Sequence, residues 1–148
     1  MRDDWIPETS LTYSEYLQDL HNKRGQNKSE NKKRKSKRRS LSKIERKQVL
    51  KKTDGKCHIC GGGIDDYWEA DHVLAHSGGG TNEVDNYLPA HRMCNNYRWD
   101  YLPEEFQEIL KLGVWLRTQI ENKKKIGLDT ADKFIKYEHQ RISRRKNK

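Results

Sequence analysis

Two pairs of thiol and imidazole side chains occur at the same short spacing in this sequence. Two residues separate Cys57 from Cys60, and two residues separate His91 from Cys94, 34 positions after Cys57. A two-residue gap lets one tight turn direct both side chains at one ion, and two such pairs are typical of a tetrahedral zinc site. Glycines 61–63 suit a backbone that bends sharply near the metal. The spacing therefore predicts a structural Zn²⁺ with four protein ligands.

The identity of the fourth ligand leaves an alternative. His91 stands where a fourth cysteine is usual, and His58 lies between the two cysteines of the first pair. From that position the His58 side chain is expected to point away from the ion, which favours His91. Three buried free thiols without a metal are the other interpretation, whereas the odd number of cysteines argues against a disulfide framework.

A second set of polar residues lies between and beside these pairs. Asp71 and His72 follow one another in a segment that has the pattern of a strand, and Asn95 comes directly after Cys94. A zinc ion that joins the two ligand pairs would bring these three polar residues near one another and near Asn86. The set either consists of surface and turn residues or holds a metal and a water molecule for chemistry. A strand hairpin followed by a helix, with a metal between them, suits the second interpretation.

The helices and strands that must position these residues can bury little apolar surface. The chain of 148 residues is 36% charged and 32% hydrophobic, so its core must be small and a metal is an expected staple. There is no apolar run near the 18 residues of a membrane span, and the first residues lack a secretory leader. We therefore expect no membrane association and an intracellular, cytoplasmic location.

Basic residues are concentrated in one segment. Net charge is +9, and residues 23–39 hold ten Lys and Arg and one Glu, which leaves 21 residues of each sign elsewhere. The segment has no apolar residue, so we expect a disordered arm that binds the phosphates of nucleic acid without reading its sequence. An inert solvated linker is the alternative. The phosphate contacts predicted in the arm are Lys32, Lys33, Arg34, Lys35, Lys37, Arg38 and Arg39.

Helices are predicted on both sides of the metal pairs. A short amphipathic helix after Pro7 is expected to dock on the main body or on a protein partner through residues 1–22. Ser42 and Glu45 form a capping box at the start of a second helix. Pro103 begins a third helix, and a last one is expected to start at Asp129 or Thr130.

The motifs taken together resemble the HNH endonuclease family and its ββα-metal fold. The matching residues are CHIC followed by EADHVLAHSGGGTNEVDNYLPAHRMCNNYR, and the resemblance extends over residues 49–98. It implies an α+β fold: a small zinc-stabilised ββα-metal (HNH) domain with flanking helices and the basic disordered arm. The expected divisions are an N-terminal segment at 1–22, a linker at 23–41, the nuclease domain at 42–128 and a basic helix or tail at 129–148.

The resemblance also implies a role for individual residues. The family's first histidine, the general base that activates water, falls on His72, and the asparagine that orients it falls on Asn86. Asn95 occupies the third position, which is often histidine, and makes the chain an H-N-N variant. With Asp71 it would hold one catalytic divalent ion, Mg²⁺ or Mn²⁺. Arg98 falls where the family often has a basic residue near a phosphate.

These roles satisfy the requirements of phosphodiester hydrolysis. A neutral imidazole can take a proton from water near neutral pH, and a hard divalent ion on oxygen ligands stabilises the negative charge of the phosphate and the leaving 3′ oxygen. The sequence therefore predicts a metal-dependent DNA endonuclease that nicks or cuts both strands. The alternatives are a zinc-stabilised nucleic-acid-binding module without catalysis and a nuclease subunit that residues 1–22 recruit to a larger complex.

Two points of geometry stay open at this stage. Neighbours on a strand point to opposite faces, so Asp71 and His72 converge on one phosphate only if the hairpin bends there or one of them lies at a strand edge. His76 is interpreted as an exposed loop histidine, with an approach to the metal site as the alternative.

Overall fold

The computed structural model of the protein describes residues 6–33 and 39–146, which fall into two compact units, Met1–Phe106 and Gln107–Lys148. The helices are α1 (Ser10–Lys33), α2 (Lys43–Lys51), α3 (Arg92–Arg98), α4 (Pro103–Glu121) and α5 (Lys125–Lys146), and the strands are β1 (Trp68–His72) and β2 (Tyr87–His91). Two short 3₁₀ turns, His76–Gly78 and Val84–Asn86, lie between the strands. The protein is thus α+β, as the sequence predicted.

Strands β1 and β2 form an antiparallel hairpin that leads directly into α3. Trp68 pairs with His91 at one end of the hairpin, and His72 pairs with Tyr87 at the other. This is the predicted order of two strands and a helix. Strand β1 ends at His72, because the Leu74 N–H bonds to the side chain of Asn86 and leaves the ladder.

The core of the first unit is small. Its fully buried side chains include Val49 of α2, Cys57, and Pro89 of β2. Helix α2 begins with the predicted capping box, in which the Ser42 N–H donates to Glu45 Oε2 over 2.8 Å and the Glu45 N–H donates to Ser42 Oγ over 3.3 Å. With so few apolar groups buried, polar contacts and the cysteine pairs must hold much of the unit together.

Helix α1 is longer than predicted and runs into the basic segment. Residues 23–33 are helical, where the sequence predicted a disordered arm. The physical reason is that Arg24 and Lys28 are neutralised by carboxylates of the same unit. Arg24 reaches Glu105 over 2.9 Å and Asp100 over 3.2 Å, and Lys28 reaches Asp100 over 3.0 Å. Through these contacts the helix docks on the rest of the first unit, whereas the sequence predicted docking through residues 1–22.

The ion pairs of Arg24 are largely screened from solvent. The side chains of Arg24, Asp100 and Glu105 are 11%, 13% and 9% exposed. Burial by itself raises the pKa of Asp100, but hydrogen bonds from Lys28 and Ser77 and the charges of the two basic residues outweigh it, so the pKa lies below its usual value. Asp100 is therefore ionised at neutral pH.

The second unit consists of the rest of α4 and helix α5. Helix α4 begins at Pro103, as predicted, but α5 begins at Lys125, before the predicted Asp129 or Thr130. The chain reverses within a few residues because Lys123 takes a left-handed conformation (φ 51°). A Cβ on Gly127 would lie 2.4 Å from the backbone of Gln119, so a glycine allows α5 to start here. No helix among the described residues has the length and apolarity needed to cross a membrane.

The Arg24 contacts lead to a prediction about stability. Arg24→Ala leaves Glu105 and Asp100 partly buried with fewer partners, so we expect the free energy of unfolding to fall by about 3 kcal/mol. Lys23→Ala is the matched control, because Lys23 is 57% exposed and lies 3.8 Å from Glu104, and its loss should cost under about 1 kcal/mol. Urea denaturation followed by tryptophan fluorescence measures both, and equal losses would contradict the account.

Candidate functional site

Four side chains of the first unit converge as metal ligands. The ligand atoms of Cys57, Cys60, His91 and Cys94 all lie within 4.8 Å of one another. His91 Nδ1 is 3.3 Å from Cys60 Sγ and 3.9 Å from Cys94 Sγ. Tetrahedral zinc with its usual bond lengths separates neighbouring ligand atoms by about 3.3–3.8 Å. This tetrad therefore fits the predicted zinc site.

The backbone around the tetrad explains how the four ligands meet. Gly61 has a φ of 72° and donates its N–H to Cys57 O over 2.8 Å, which closes the tight turn between the first two cysteines. His91 ends β2, and its Nε2 donates to Gly63 O over 2.8 Å. That hydrogen bond leaves Nδ1 to face the sulfur atoms, as outer hydrogen bonds do for metal-ligating histidines.

Backbone hydrogen bonds prepare one thiol for a metal. Burial raises the pKa of Cys57, but N–H groups of Cys60, His91 and Ile59 outweigh it and lower the pKa to about 6. The pKa of Cys94 is raised to about 12, first by burial and then by Cys60 and Cys57. Cys57 therefore loses its proton more readily than Cys94, and a metal that binds Cys94 must displace that proton.

The carboxylate of Asp71 lies on the hairpin and is 5% exposed. Its Oδ2 is 2.8 Å from His58 Nε2, and its Oδ1 accepts a hydrogen bond of 3.1 Å from Arg98 Nη1. Arg98 also donates to the carbonyl oxygens of His72 (3.0 Å) and Val73 (2.7 Å). Arg98 therefore fastens α3 to the end of β1, and its contact with phosphate stays a prediction.

The imidazole of His72 lies beside three polar or aromatic groups. Its Nε2 is 3.3 Å from Asn82 Oδ1, and its ring centroid is 4.2 Å from that of Tyr87 and 5.6 Å from that of His76. The preferred interpretation of His76 as an exposed loop residue is wrong. Its ring is partly buried against His72, and its Nε2 is buried without a hydrogen-bond partner in the part of the chain that the structure describes.

Asn86 braces the loop that follows β1. Its side chain accepts the N–H of Leu74 over 2.9 Å and donates to Leu74 O over 3.1 Å and Thr81 O over 2.9 Å. Gly80 makes this arrangement possible, since a Cβ there would lie 1.8 Å from Leu74 O and 2.8 Å from Asn86 Nδ2. Asn86 thus acts on the loop after His72, whereas Asn82 contacts the imidazole itself.

Asn95 lies on α3 and faces the hairpin. Its Nδ2 donates to Glu69 Oε2 over 2.5 Å. Glu69 and Asp71 are two positions apart on β1 and point to the same face of the hairpin. The contact between Asn95 and Glu69 fixes the amide plane of Asn95 and directs its carbonyl oxygen away from Glu69.

One cavity of about 620 Å³ brings several of the predicted site residues together. Asp71, His72 and Asn95 line it, and Asn86 does not. The open question of strand faces is thereby answered in part: His72 is the last residue of β1, and both it and Asp71 border the same cavity although they are neighbours. The basic residues at its wall are Lys28, Arg39, Arg46 and Arg98.

The predicted phosphate contacts of the basic arm have different positions. Lys32 and Lys33 belong to the last turn of α1. Arg39 lines the cavity and binds Glu45 Oε1 over 2.7 Å. That contact and the backbone N–H of Ser42 lower the pKa of Glu45 to about 2. The others, Arg34, Lys35, Lys37 and Arg38, lie outside the described residues.

The comparison with protein families decides how the site is to be named. Residues 57–98 match the family model described as HNH endonuclease. This segment resembles HNH endonucleases, and we call it the HNH domain. The match runs from the first cysteine of the tetrad to Arg98, and so contains the hairpin, α3 and every residue that the sequence predicted as a metal ligand. A search of curated proteins finds no match to the chain. The HNH domain indicates a nuclease or nucleic-acid-related function.

Sequence reasoning missed two contacts of the HNH domain. His58 does point away from the tetrad, as predicted, but it binds Asp71, and Asn82 binds His72. The position of His58 inside CHIC was visible in the sequence, but its distance to Asp71, 13 residues away, was not. Asn82 follows the glycine run, where its type indicates only a turn.

The tetrad leads to a prediction about metal content. We expect one zinc per chain by elemental analysis, and its removal by a chelator should abolish cooperative unfolding, because the small core cannot replace the cross-link. His91→Ala should lose zinc. His139→Ala is the control, since His139 is an exposed histidine of the second unit and should keep it. Full zinc content in His91→Ala would contradict the ligand assignment.

The braced loop leads to a second prediction. Gly80→Ala should lower the free energy of unfolding by about 1–3 kcal/mol, because the added methyl group collides with backbone. Gly78→Ala is the matched control, since a Cβ there meets only Leu74 Cδ1 at 3.9 Å. Chemical denaturation of the zinc-loaded proteins compares them. If both variants were as stable as the parent protein, the close packing of Gly80 against the Leu74 backbone would be contradicted.

Proposed function

We propose that the protein is a metal-dependent HNH endonuclease that hydrolyses DNA phosphodiester bonds, by a nick or a double-strand cut. The observation that carries this proposal is the cavity of about 620 Å³ that Asp71, His72 and Asn95 line together. An imidazole, a carboxylate and an amide within one solvent-accessible cavity are the groups that this hydrolysis needs. Their placement inside the segment that matches the family supports the same function.

His72 is the general base in this proposal. Asn82 Oδ1 is an acceptor, so the contact of 3.3 Å favours a proton on Nε2 of His72 and the lone pair on Nδ1. Nδ1 is then the nitrogen that takes a proton from the attacking water. Tyr87 packs on the ring and donates to the same Asn82 oxygen over 3.3 Å, which holds the imidazole and its partner in one arrangement. Asn86 is a positioning residue that acts through the loop.

Asp71 and Asn95 are the proposed holders of the divalent ion. A carboxylate oxygen and an amide carbonyl are hard ligands that suit Mg²⁺ or Mn²⁺ and leave room for water and phosphate oxygens. The ion, when bound, supplies positive charge that stabilises the phosphate and the leaving oxygen. The protein contributes a buried carboxylate held from two sides and an amide fixed by Glu69.

The basic wall of the cavity is the proposed path of the DNA backbone. Lys28 is 55% exposed at its side chain and Arg39 is 44% exposed, although each also binds a carboxylate of the protein. Exposed cations beside a catalytic cavity attract phosphates without selecting a sequence. The basic residues of the arm outside the described ranges would extend this attraction.

A non-catalytic nucleic-acid-binding module is the second candidate function. The observation in its favour is that both oxygens of Asp71 already accept from side chains of the protein, His58 and Arg98. A carboxylate that only stabilises the fold would show the same contacts. Such a module would need the tetrad and the cations but would have no use for a base at His72.

Cleavage of supercoiled plasmid DNA distinguishes the two functions. With Mg²⁺ or Mn²⁺ the zinc-loaded protein should convert the plasmid to nicked or linear form, and His72→Ala should be slower by about 10²–10⁴-fold, the usual contribution of a general base. His139→Ala, which changes an exposed histidine of the second unit, should keep full activity. Equal cleavage by His72→Ala, or binding without cleavage by the parent protein, would contradict the proposal.

A further inference from the structure

His58 connects the tetrad to the carboxylate of Asp71 within the HNH domain. It stands between Cys57 and Cys60, so the turn that holds two ligands of the structural metal also holds its backbone. The side chain is only 15% exposed, and its Nε2 lies 2.8 Å from Oδ2 of the almost fully buried Asp71. Its backbone is therefore fixed beside two cysteines of the tetrad, while its side chain contacts the carboxylate of Asp71.

The backbone of His58 is attached to the same hairpin as its side chain. The His58 N–H donates to Pro89 O over 3.0 Å, and Pro89 is the β2 residue that pairs with Ala70 of β1. Ala70 directly precedes Asp71. The turn from Cys57 to Cys60, which we call the knuckle, thus binds β2 through its main chain and contacts β1 through the His58 imidazole. A shift of the knuckle would move the donor relative to the carboxylate.

We propose that His58 is a positioning residue for the divalent-ion site, and that it transmits the rigidity of the zinc tetrad to the carboxylate of Asp71. This inference rests on the proposed function, in which Asp71 is a ligand of the divalent ion. His58 holds Oδ2, while Arg98 holds Oδ1. Without His58 the carboxylate is free to turn toward the guanidinium and form a two-point ion pair. Arg98 would then compete with the divalent ion for both oxygens.

This role differs from ordinary structural support in one respect. A side chain that only fills space would affect stability or zinc content when it is changed, and any replacement of similar size would restore it. A positioning donor requires a hydrogen-bonding group at the location of Nε2. Gln can place its amide nitrogen there, whereas Asn is one carbon shorter and cannot reach as far. The pair of replacements separates the two roles.

Binding of Mn²⁺ to the zinc-loaded full-length protein, without DNA, tests the inference. The dissociation constant is measured from the free Mn²⁺ signal in electron paramagnetic resonance, and zinc content is determined for each variant. We expect His58→Ala and His58→Asn to raise the dissociation constant at least about tenfold, as changes to outer partners of metal ligands do, and His58→Gln to stay within about threefold of the parent. All variants should keep one zinc.

The results separate failure of this inference from failure of the proposed function. Asp71→Asn is measured in parallel. If it loses Mn²⁺ binding while His58→Ala and His58→Asn keep the parent dissociation constant, the role of His58 is refuted and the proposed metal site stands. If Asp71→Asn binds as the parent does, Asp71 is not a ligand and both are refuted. If His58→Ala loses zinc, His58→Gln is compared with His58→Asn instead. Equal Mn²⁺ dissociation constants for these two variants would refute the positioning role of His58.

Discussion

The first unit depends on one constraint. The Cys57–Cys60 pair and the His91–Cys94 pair must converge on one point. The pairs lie 34 residues apart in the chain, yet their ligand atoms lie within 4.8 Å of one another. One of them, Cys57, is also among the few fully buried side chains. In a unit with so small an apolar core, the free energy of metal binding becomes free energy of folding. The tetrad therefore joins the knuckle to the end of β2 and fixes the start of α3.

The positions of the proposed catalytic groups follow from that junction. Helix α3 begins beside the tetrad, and it presents Asn95 to Glu69 and Arg98 to the end of β1. The knuckle presents His58 to Asp71. In the loop that follows β1, the absence of a side chain at Gly80 lets Asn86 hydrogen-bond to Leu74 and Thr81. Each contact is short and local to the hairpin, so a small domain can hold the proposed base and the proposed metal ligands without a large core.

Some of the structure was predictable because its causes are local in the sequence. The spacing of the tetrad, the capping box of Ser42 and Glu45, and the hairpin followed by a helix depend on residues close together or on one known ligand geometry. The length of α1 was not predictable, because Arg24 and Lys28 are neutralised by Asp100 and Glu105, more than 70 positions away. A basic run without apolar residues indicates disorder only when such partners are absent. The contact of His58 with Asp71 joins residues only 13 positions apart, but it depends on how the Cys57–Cys60 turn packs on the hairpin, which the sequence does not show. The roles of the site residues and the four predicted domain divisions stay predictions.

We propose that one small domain holds a structural zinc at the tetrad and a catalytic divalent ion at Asp71 and Asn95. The most direct measurement is a crystal structure of the protein soaked in Mn²⁺, with anomalous data collected at the absorption edges of zinc and manganese. The account predicts a zinc peak among Cys57, Cys60, His91 and Cys94, and a separate manganese peak within bonding distance of Asp71 and Asn95. A manganese peak elsewhere, or none at the cavity while zinc fills the tetrad, would contradict it.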